Sequence, residues 1–230
     1  MSQHNTPSNR GVIYVFWGDQ AKKELTRSLE SLKRLHPELP YKCLELPEQS
    51  TLLDKARAMT QTPFESTLFL DTDTVVLDRL DFGFEKAEQF GLACCINECP
   101  WARRYADIGG DQIEYNTGVL FFTRQALPVL ERWSSCSASI DSSIVFYRDN
   151  QKCIMPKNDQ AGFSQAMTDT GFNPFVLPLN WNFRPSWHRS MFGPIKVWHD
   201  RREVPLEMQF WNEDQSHPAS IIKYVELNKS

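Results

Sequence analysis

Three apolar runs, separated by helix-patterned stretches, limit this chain to few folds. GVIYVFW (Gly11 to Trp17) is continuous, β-branched and aromatic. A run of that kind reads as a strand buried on both faces. Beyond it Asp19 is placed to cap a helix in which Leu25, Leu29, Leu32 and Leu35 recur at helical spacing, and Pro37 stops it. YKCLEL (Tyr41 to Leu46) is a second strand. Thr51-Leu-Leu-Asp54 has capping-box form and opens a helix through Lys55, Arg57 and Met59. TLFLDTDTVVL (Thr67 to Leu77) is the third strand. This strand–helix–strand–helix–strand order predicts a parallel half-sheet covered on both faces. Such sheets take ligands beyond the carboxyl ends of their strands. Phe16-Trp17-Gly18 and Asp71-Thr72-Asp73 both fall at that edge.

Later elements are less regular. Gly91 to Ile96 reads as a strand, and Asn97 to Glu114, broken by Gly109-Gly110, as a loop. Asn116-Thr117-Gly118 leads into the strand VLFFT. Leu127, Leu130 and Trp133 mark a helix. Asn158 is placed to cap another that runs to Thr170 and stops at Gly171. FVLPLN is a strand candidate, and Ile195 to Trp198 a short strand ending at His199. There is no internal repeat and no linker. A length of 230 residues suits one α/β domain.

The net charge of −4 supplies no field for nucleic acid or an anionic membrane. MSQHNTPSNR has no apolar core, so it reads as a frayed tail and not a signal peptide. No apolar run reaches membrane-spanning length, and the cytoplasm is the expected compartment. The six cysteines include no C-x-x-C pair, which argues against a zinc ribbon. Cys94 and Cys95, adjacent in a strand, should face opposite ways as small core residues.

In an extended segment Asp71 and Asp73 point the same way. Two like charges in one place repel unless a cation lies between them. Mg²⁺ and Mn²⁺ take oxygen ligands and keep places for phosphate oxygens. A solvated turn after a strand is the plain alternative; the apolar approach and the sheet-edge position favour metal binding. Asp71, Asp73 and Val75 also fit the D-x-D-x-[TV] pattern of phosphatase-like enzymes, with a nucleophile and a general acid. That pattern belongs to a domain's first strand, however, and here two strand–helix units precede it.

The second class with such a pair is the sugar-nucleotide glycosyltransferases, and there the likeness spans much of the chain. Lys55, FLDTDTVV, Tyr115-Asn116-Thr117-Gly118-Val119-Leu120, Asn158-Asp159-Gln160 and Gly193-Pro-Ile-Lys196-Val-Trp198-His199 follow one another in the order of glycosyltransferase family 8. The chain resembles that family and its GT-A-fold relatives. The resemblance implies a mixed, mainly parallel Rossmann-like sheet flanked by helices in a single domain at 11–230, after a disordered tail at 1–10. It assigns 11–75 to the nucleotide and 76–230 to the acceptor. It implies transfer of a hexose from a nucleotide-diphosphate sugar, UDP-linked, to a hydroxyl of a glycan, lipid or protein, with Mn²⁺ or Mg²⁺.

The chain has only ten glycines and no glycine-rich phosphate loop, so a cation held by Asp71 and Asp73, with Lys55 or Arg57 nearby, would have to neutralise a diphosphate. His199 is the expected third ligand, since imidazole suits Mn²⁺ better than Mg²⁺. His188, five residues before Gly193, is its rival by family position. Lys196 and Arg201 are left open toward phosphate. Tyr14, Phe16, Trp17 and Gly18 are expected to line the nucleobase, with Thr72 and Thr117 beside the donor. Gly118 would let a sugar come close, and Asn116 would bond its hydroxyls. Under inversion Asp159 would be the base; under retention, which the resemblance implies, Gln160 would lie beneath the anomeric carbon. Trp101, Arg103, Arg104 and Tyr105 mark the expected acceptor loop. Two readings stand beside this one: a metal-dependent phosphatase or nucleotidyltransferase, and a non-catalytic sugar-nucleotide-binding domain.

Overall fold

The apolar runs become the middle of one six-stranded sheet. A computed structural model of the chain describes residues 9–98, 104–105, 108–109, 112–148, 150–155, 157–188, 190–213 and 222–224. The elements are β1 (Arg10–Phe16), α1 (Gly18–Leu35), β2 (Tyr41–Glu45), α2 (Lys55–Met59), β3 (Ser66–Leu70), β4 (Thr74–Val76), α3 (Asp81–Phe90) and β5 (Leu92–Ile96). They continue with β6 (Arg104–Tyr105), β7 (Ile108–Gly109), β8 (Tyr115–Thr123), α4 (Leu127–Cys136), β9 (Ile144–Arg148), β10 (Gln151–Met155) and α5 (Gln160–Thr170). The chain then forms β11 (Phe175–Val176), β12 (Ser190–Phe192), β13 (Val197–His199), α6 (Leu206–Glu213) and β14 (Ile222–Tyr224). The main sheet runs β11-β5-β8-β3-β1-β2. All its pairs are parallel except those of β8, which lies antiparallel to β3 and β5. This is the expected mixed, mainly parallel sheet.

Side chains alternate between the two faces, as a pleated strand requires. Val12, Tyr14, Phe16, Leu68, Leu70, Val119 and Phe121 share one core with α1 and α3. Ile13, Val15, Phe69, Leu120 and Phe122 share the other with α2, α4 and α5. Cys94 and Cys95 fall on opposite faces as free, buried thiols. A satellite core of Val75, Phe183, Met191, Ile195, Trp198, Val204 and Met208 lies under the C-terminal segments. Most C-terminal aromatics are therefore structural, with Trp187 and Phe192 exposed.

Several local expectations change. The third strand is not continuous: it breaks at Asp71-Thr72-Asp73, a turn, and resumes as β4, which pairs antiparallel with β13. Trp17, not Asp19, takes the cap position of α1, and Asp19 sits in the first turn, where a carboxylate favours the helix dipole. The Thr51–Asp54 capping box forms, with Thr51 N–H donating to Asp54 Oδ2 (2.8 Å), and opens a 3₁₀ turn leading into α2. Asn158 caps α5 from one residue outside, its Oδ1 accepting from Gln160 N–H (3.1 Å). Gly171 ends that helix in the left-handed region (φ 63°). FVLPLN holds only β11, since Pro178 has no donor for a ladder. The β9–β10 hairpin is not anticipated. Residues 1–8 of the expected tail, Cys99, and Trp101 and Arg103 of the expected acceptor loop lie outside the described residues, and β1 begins at Arg10. Among the described residues no helix is long and apolar enough to cross a membrane.

Candidate active site at the carboxyl edge of the sheet

Two elements bring the metal candidates together. β3 delivers Asp71 at its carboxyl end, and Thr74 Oγ1 donates to the Asp71 carbonyl (2.7 Å), closing the turn. β13 then pairs with β4 so that His199 stands opposite Thr74. His199 Nε2 lies 3.2 Å from Asp73 Oδ1 and 3.8 Å from Asp71 Oδ2. One ligand atom from each of the three residues falls within 4.8 Å of the others. Two carboxylate oxygens and an imidazole nitrogen suit Mn²⁺, and Mg²⁺ less well. His188 is elsewhere, with Nε2 3.5 Å from Glu98 Oε1.

The two carboxylates differ. Burial pushes Asp71 up, and Lys55 and His199 offset this only in part, so its pKa is raised. Burial also opposes ionisation of Asp73, but His199, when its ring carries both protons, and a backbone hydrogen bond hold it below the usual carboxylate range.

Behind the pair lies a buried polar group. Lys55, 2% exposed, places Nζ 2.8 Å from Asp159 Oδ2, 3.2 Å from Asp71 Oδ1 and 3.2 Å from Thr117 Oγ1. Thr117 Oγ1 itself donates to Asp159 Oδ2 (3.0 Å). Burial works against the Lys55 charge, yet Asp159 and Asp71 outweigh it and its pKa is raised. Removing one partner of such a pair costs about 3–5 kcal/mol, because the remaining charge is stranded. An ammonium has three donors, and here all three have partners inside the protein. Lys55 therefore fixes Asp71 and Asp159 in place. Arg57 is exposed and does not line the cleft.

The cleft in front holds about 300 Å³. Phe16, Trp17, Lys55, Thr72, Asp71, Asp73 and His199 line it, joined by Arg201, whose role toward phosphate the sequence left open, and by Gln20 and Glu24, which it left without a role. The Arg201 side chain is 73% exposed and places Nε 3.1 Å from Glu24 Oε1. Lys196 is held by Asp78 (2.6 Å). Tyr14 does not line the cleft: it is fully buried, with its hydroxyl 3.1 Å from Ser28 Oγ. Gly18 starts α1 at φ 74°, a conformation that favours glycine.

Gly118 faces the His199 ring and Asp71 rather than open space, and Asn116 bonds to its neighbours rather than to solvent. The position a Gly118 Cβ would take is filled by the His199 ring and by Asp71 Oδ2. Asn116 is buried, and its Oδ1 accepts from Gly118 N–H (2.9 Å) and from Asn182 Nδ2 (2.7 Å). Asn182 has no signal in the sequence beyond being polar in an apolar neighbourhood. Gln160 stands at the start of α5, and its Oε1 is buried without a hydrogen-bond partner.

Comparisons with known proteins follow this geometry. No family model matches the chain. It is 30% identical over 162 residues to glycogenin-1 of Saccharomyces cerevisiae, a stretch covering 68% of this chain and 25% of that protein. The chain thus spans about a quarter of the length of that curated relative. The structure is similar to apo mouse xyloside xylosyltransferase 1 (TM-score 0.56, 14% identity, 85% of this chain and 99% of that one). It is similar to apo GlyE of Streptococcus pneumoniae (TM-score 0.56, 13% identity, 93% and 61%). An active-site mutant of LgtC matches as well (TM-score 0.53, 12% identity, 84% and 88%). At these identities the structural likeness speaks for the fold. The chain has the GT-A fold of these glycosyltransferases and resembles glycosyltransferase family 8.

Proposed function

We propose that the chain is a metal-dependent glycosyltransferase that moves a hexose from a UDP-linked sugar to a hydroxyl acceptor. The observation that carries this is the convergence of Asp71, Asp73 and His199 at the ligand edge of the sheet, facing the cleft. On this reading those three side chains hold Mn²⁺ or Mg²⁺. A cation held there would supply Lewis-acid stabilisation for a departing diphosphate. Phe16 and Trp17 border the base, and Arg201 meets the diphosphate from the exposed side. Lys55 acts through Asp71 and Asp159 rather than on phosphate. Asp159 and Thr117 border the sugar, and the unpaired Gln160 Oε1 accepts from it. Donor sugar hydroxyls are groups that can satisfy that buried carbonyl.

The test offers a panel of sugar nucleotides with Mn²⁺ and follows nucleoside diphosphate release. A cation supplies several kcal/mol to such a step. Asp73→Asn should therefore lower turnover by about 10²–10³-fold, and Asp71→Asn as much with an added cost in stability from weakening the Lys55 pair. Near-normal turnover in both would remove the metal from the mechanism. Release of inorganic phosphate in place of nucleoside diphosphate would mean a phosphatase. Binding without any release would mean a carrier of the same ligand.

A further inference from the structure

The assignment of Asn116 to the sugar leaves its hydrogen bonds unexplained. They can be read in one direction only. A backbone N–H donates and never accepts, so the Asn116 atom that meets Gly118 N–H is the amide oxygen. The Asn182 atom facing that same oxygen at 2.7 Å must then be its NH₂ group. This turns the Asn182 oxygen toward His199 Nδ1, also at 2.7 Å, and that nitrogen must donate. With its proton on Nδ1, neutral His199 carries a lone pair on Nε2. That lone pair points at Asp73 Oδ1 and Asp71 Oδ2. Three electron-pair donors then face one another, an arrangement that repels itself until a proton or a metal cation enters.

The backbone places Asn182 for this purpose. Phe183 N–H donates to Val197 O and His199 N–H to Phe183 O, both at 2.8 Å. The segment around Phe183 therefore lies along β13 on the side away from β4. Asn182 is 1% exposed, so water does not replace its bonds.

We propose that Asn182 and Asn116 are positioning residues that hold His199 in the Nδ1-protonated tautomer, with Nε2 preset for the divalent cation. The inference rests on the metal reading above and extends it to the residues that orient the ligand. Partners of this kind, bonded to the far nitrogen of a ligating histidine, change metal affinity by about 10–100-fold when lost.

The test measures Mn²⁺ binding without any sugar nucleotide, by the paramagnetic resonance signal of free Mn²⁺. Asn182→Leu should weaken Mn²⁺ binding by about 10–100-fold. Asn182→Asp still accepts from His199 Nδ1 but no longer donates to Asn116 Oδ1, so it should recover only part of that affinity and bind more tightly than Asn182→Leu. Long-range proton–nitrogen correlation on wild-type protein labelled in histidine, at a pH where the His199 ring is neutral, should report a protonated Nδ1 and a bare Nε2, whether or not the variants fold. The Nε2-protonated tautomer would overturn the proposal. So would wild-type affinity in Asn182→Leu, which would leave the metal site itself standing. If wild-type protein binds no Mn²⁺ at all, the metal reading falls and takes this inference with it.

Discussion

Gly118 has no side chain, yet His199 and Asp71 meet over it. A sequence motif that suggests room for a sugar is, in the fold, room for the His199 ring and the Asp71 carboxylate. Gly118→Ala should force the imidazole away from Asp73. The expected result is a loss of about 1–3 kcal/mol in stability from overpacking, with Mn²⁺ affinity reduced at least about tenfold. Urea denaturation and Mn²⁺ titration check the two parts, and unchanged affinity would mean that the ring has slack. Lys55 illustrates the same point through charge. The family resemblance suggested a place near the diphosphate for it, while its burial makes it the counter-ion that allows Asp71 and Asp159 to coexist.

At the scale of elements, α1 explains how β4 is placed. Its buried face interrupts leucines with Ser28 and Ser31. Ser31 Oγ accepts from Val76 N–H (2.9 Å), and Ser28 Oγ lies 2.8 Å from Thr74 Oγ1. Ser31 thus supplies an acceptor on the edge of β4 that β13 does not reach, and Ser28 holds the Thr74 side chain. The C-terminal end of α1 is tied to the next helix as well, since His36 Nε2 accepts from Leu80 N–H (3.0 Å) at the start of α3. Burial is the main influence holding His36 below the ordinary histidine pKa, only partly offset by Glu38. His188 is lowered for the same reason. The unfolded chain therefore binds protons more readily at these sites than the folded protein does. The stability they contribute is present above the unfolded value and is lost as pH falls through the folded one. The urea midpoint should drop between about pH 7.5 and about pH 5.5. His36→Gln, with an acceptor that does not titrate, should flatten part of that slope. An equally steep slope in the variant would clear His36 of this role.

For the whole molecule, the site joins segments from both halves of the chain: the ends of β1 and β3, the start of β8, the start of α5 and the end of β13. A ligand bridging them stabilises the folded state alone. Mn²⁺ with UDP at roughly 100 times Kd should add about 2–3 kcal/mol. In a domain of this size that raises Tm by about 5–10 °C. Asp73→Asn should lose this shift while melting normally without ligand. A full shift in the variant would place the nucleotide away from the aspartates.

The sequence by itself determined the sheet and its ligand edge. Apolar runs of strand length, leucines at helical spacing and two carboxylates at the end of a buried strand are local patterns, and local sterics and burial act on them directly. It also carried the Asn-Thr-Gly and Asp-Gln segments to the right side of the molecule. Only the tertiary structure decided what those residues touch. The pairing of β4 with β13 chose His199 over His188 for a place beside Asp71 and Asp73. Burial turned Lys55 inward and kept Tyr14 in the core. Asn182 acquired a partner on each side only when β8 and β13 came within hydrogen-bonding distance of it. Each of these outcomes depends on groups far apart in sequence sharing one water-excluded space, where every donor must find an acceptor, and no short stretch of residues encodes that.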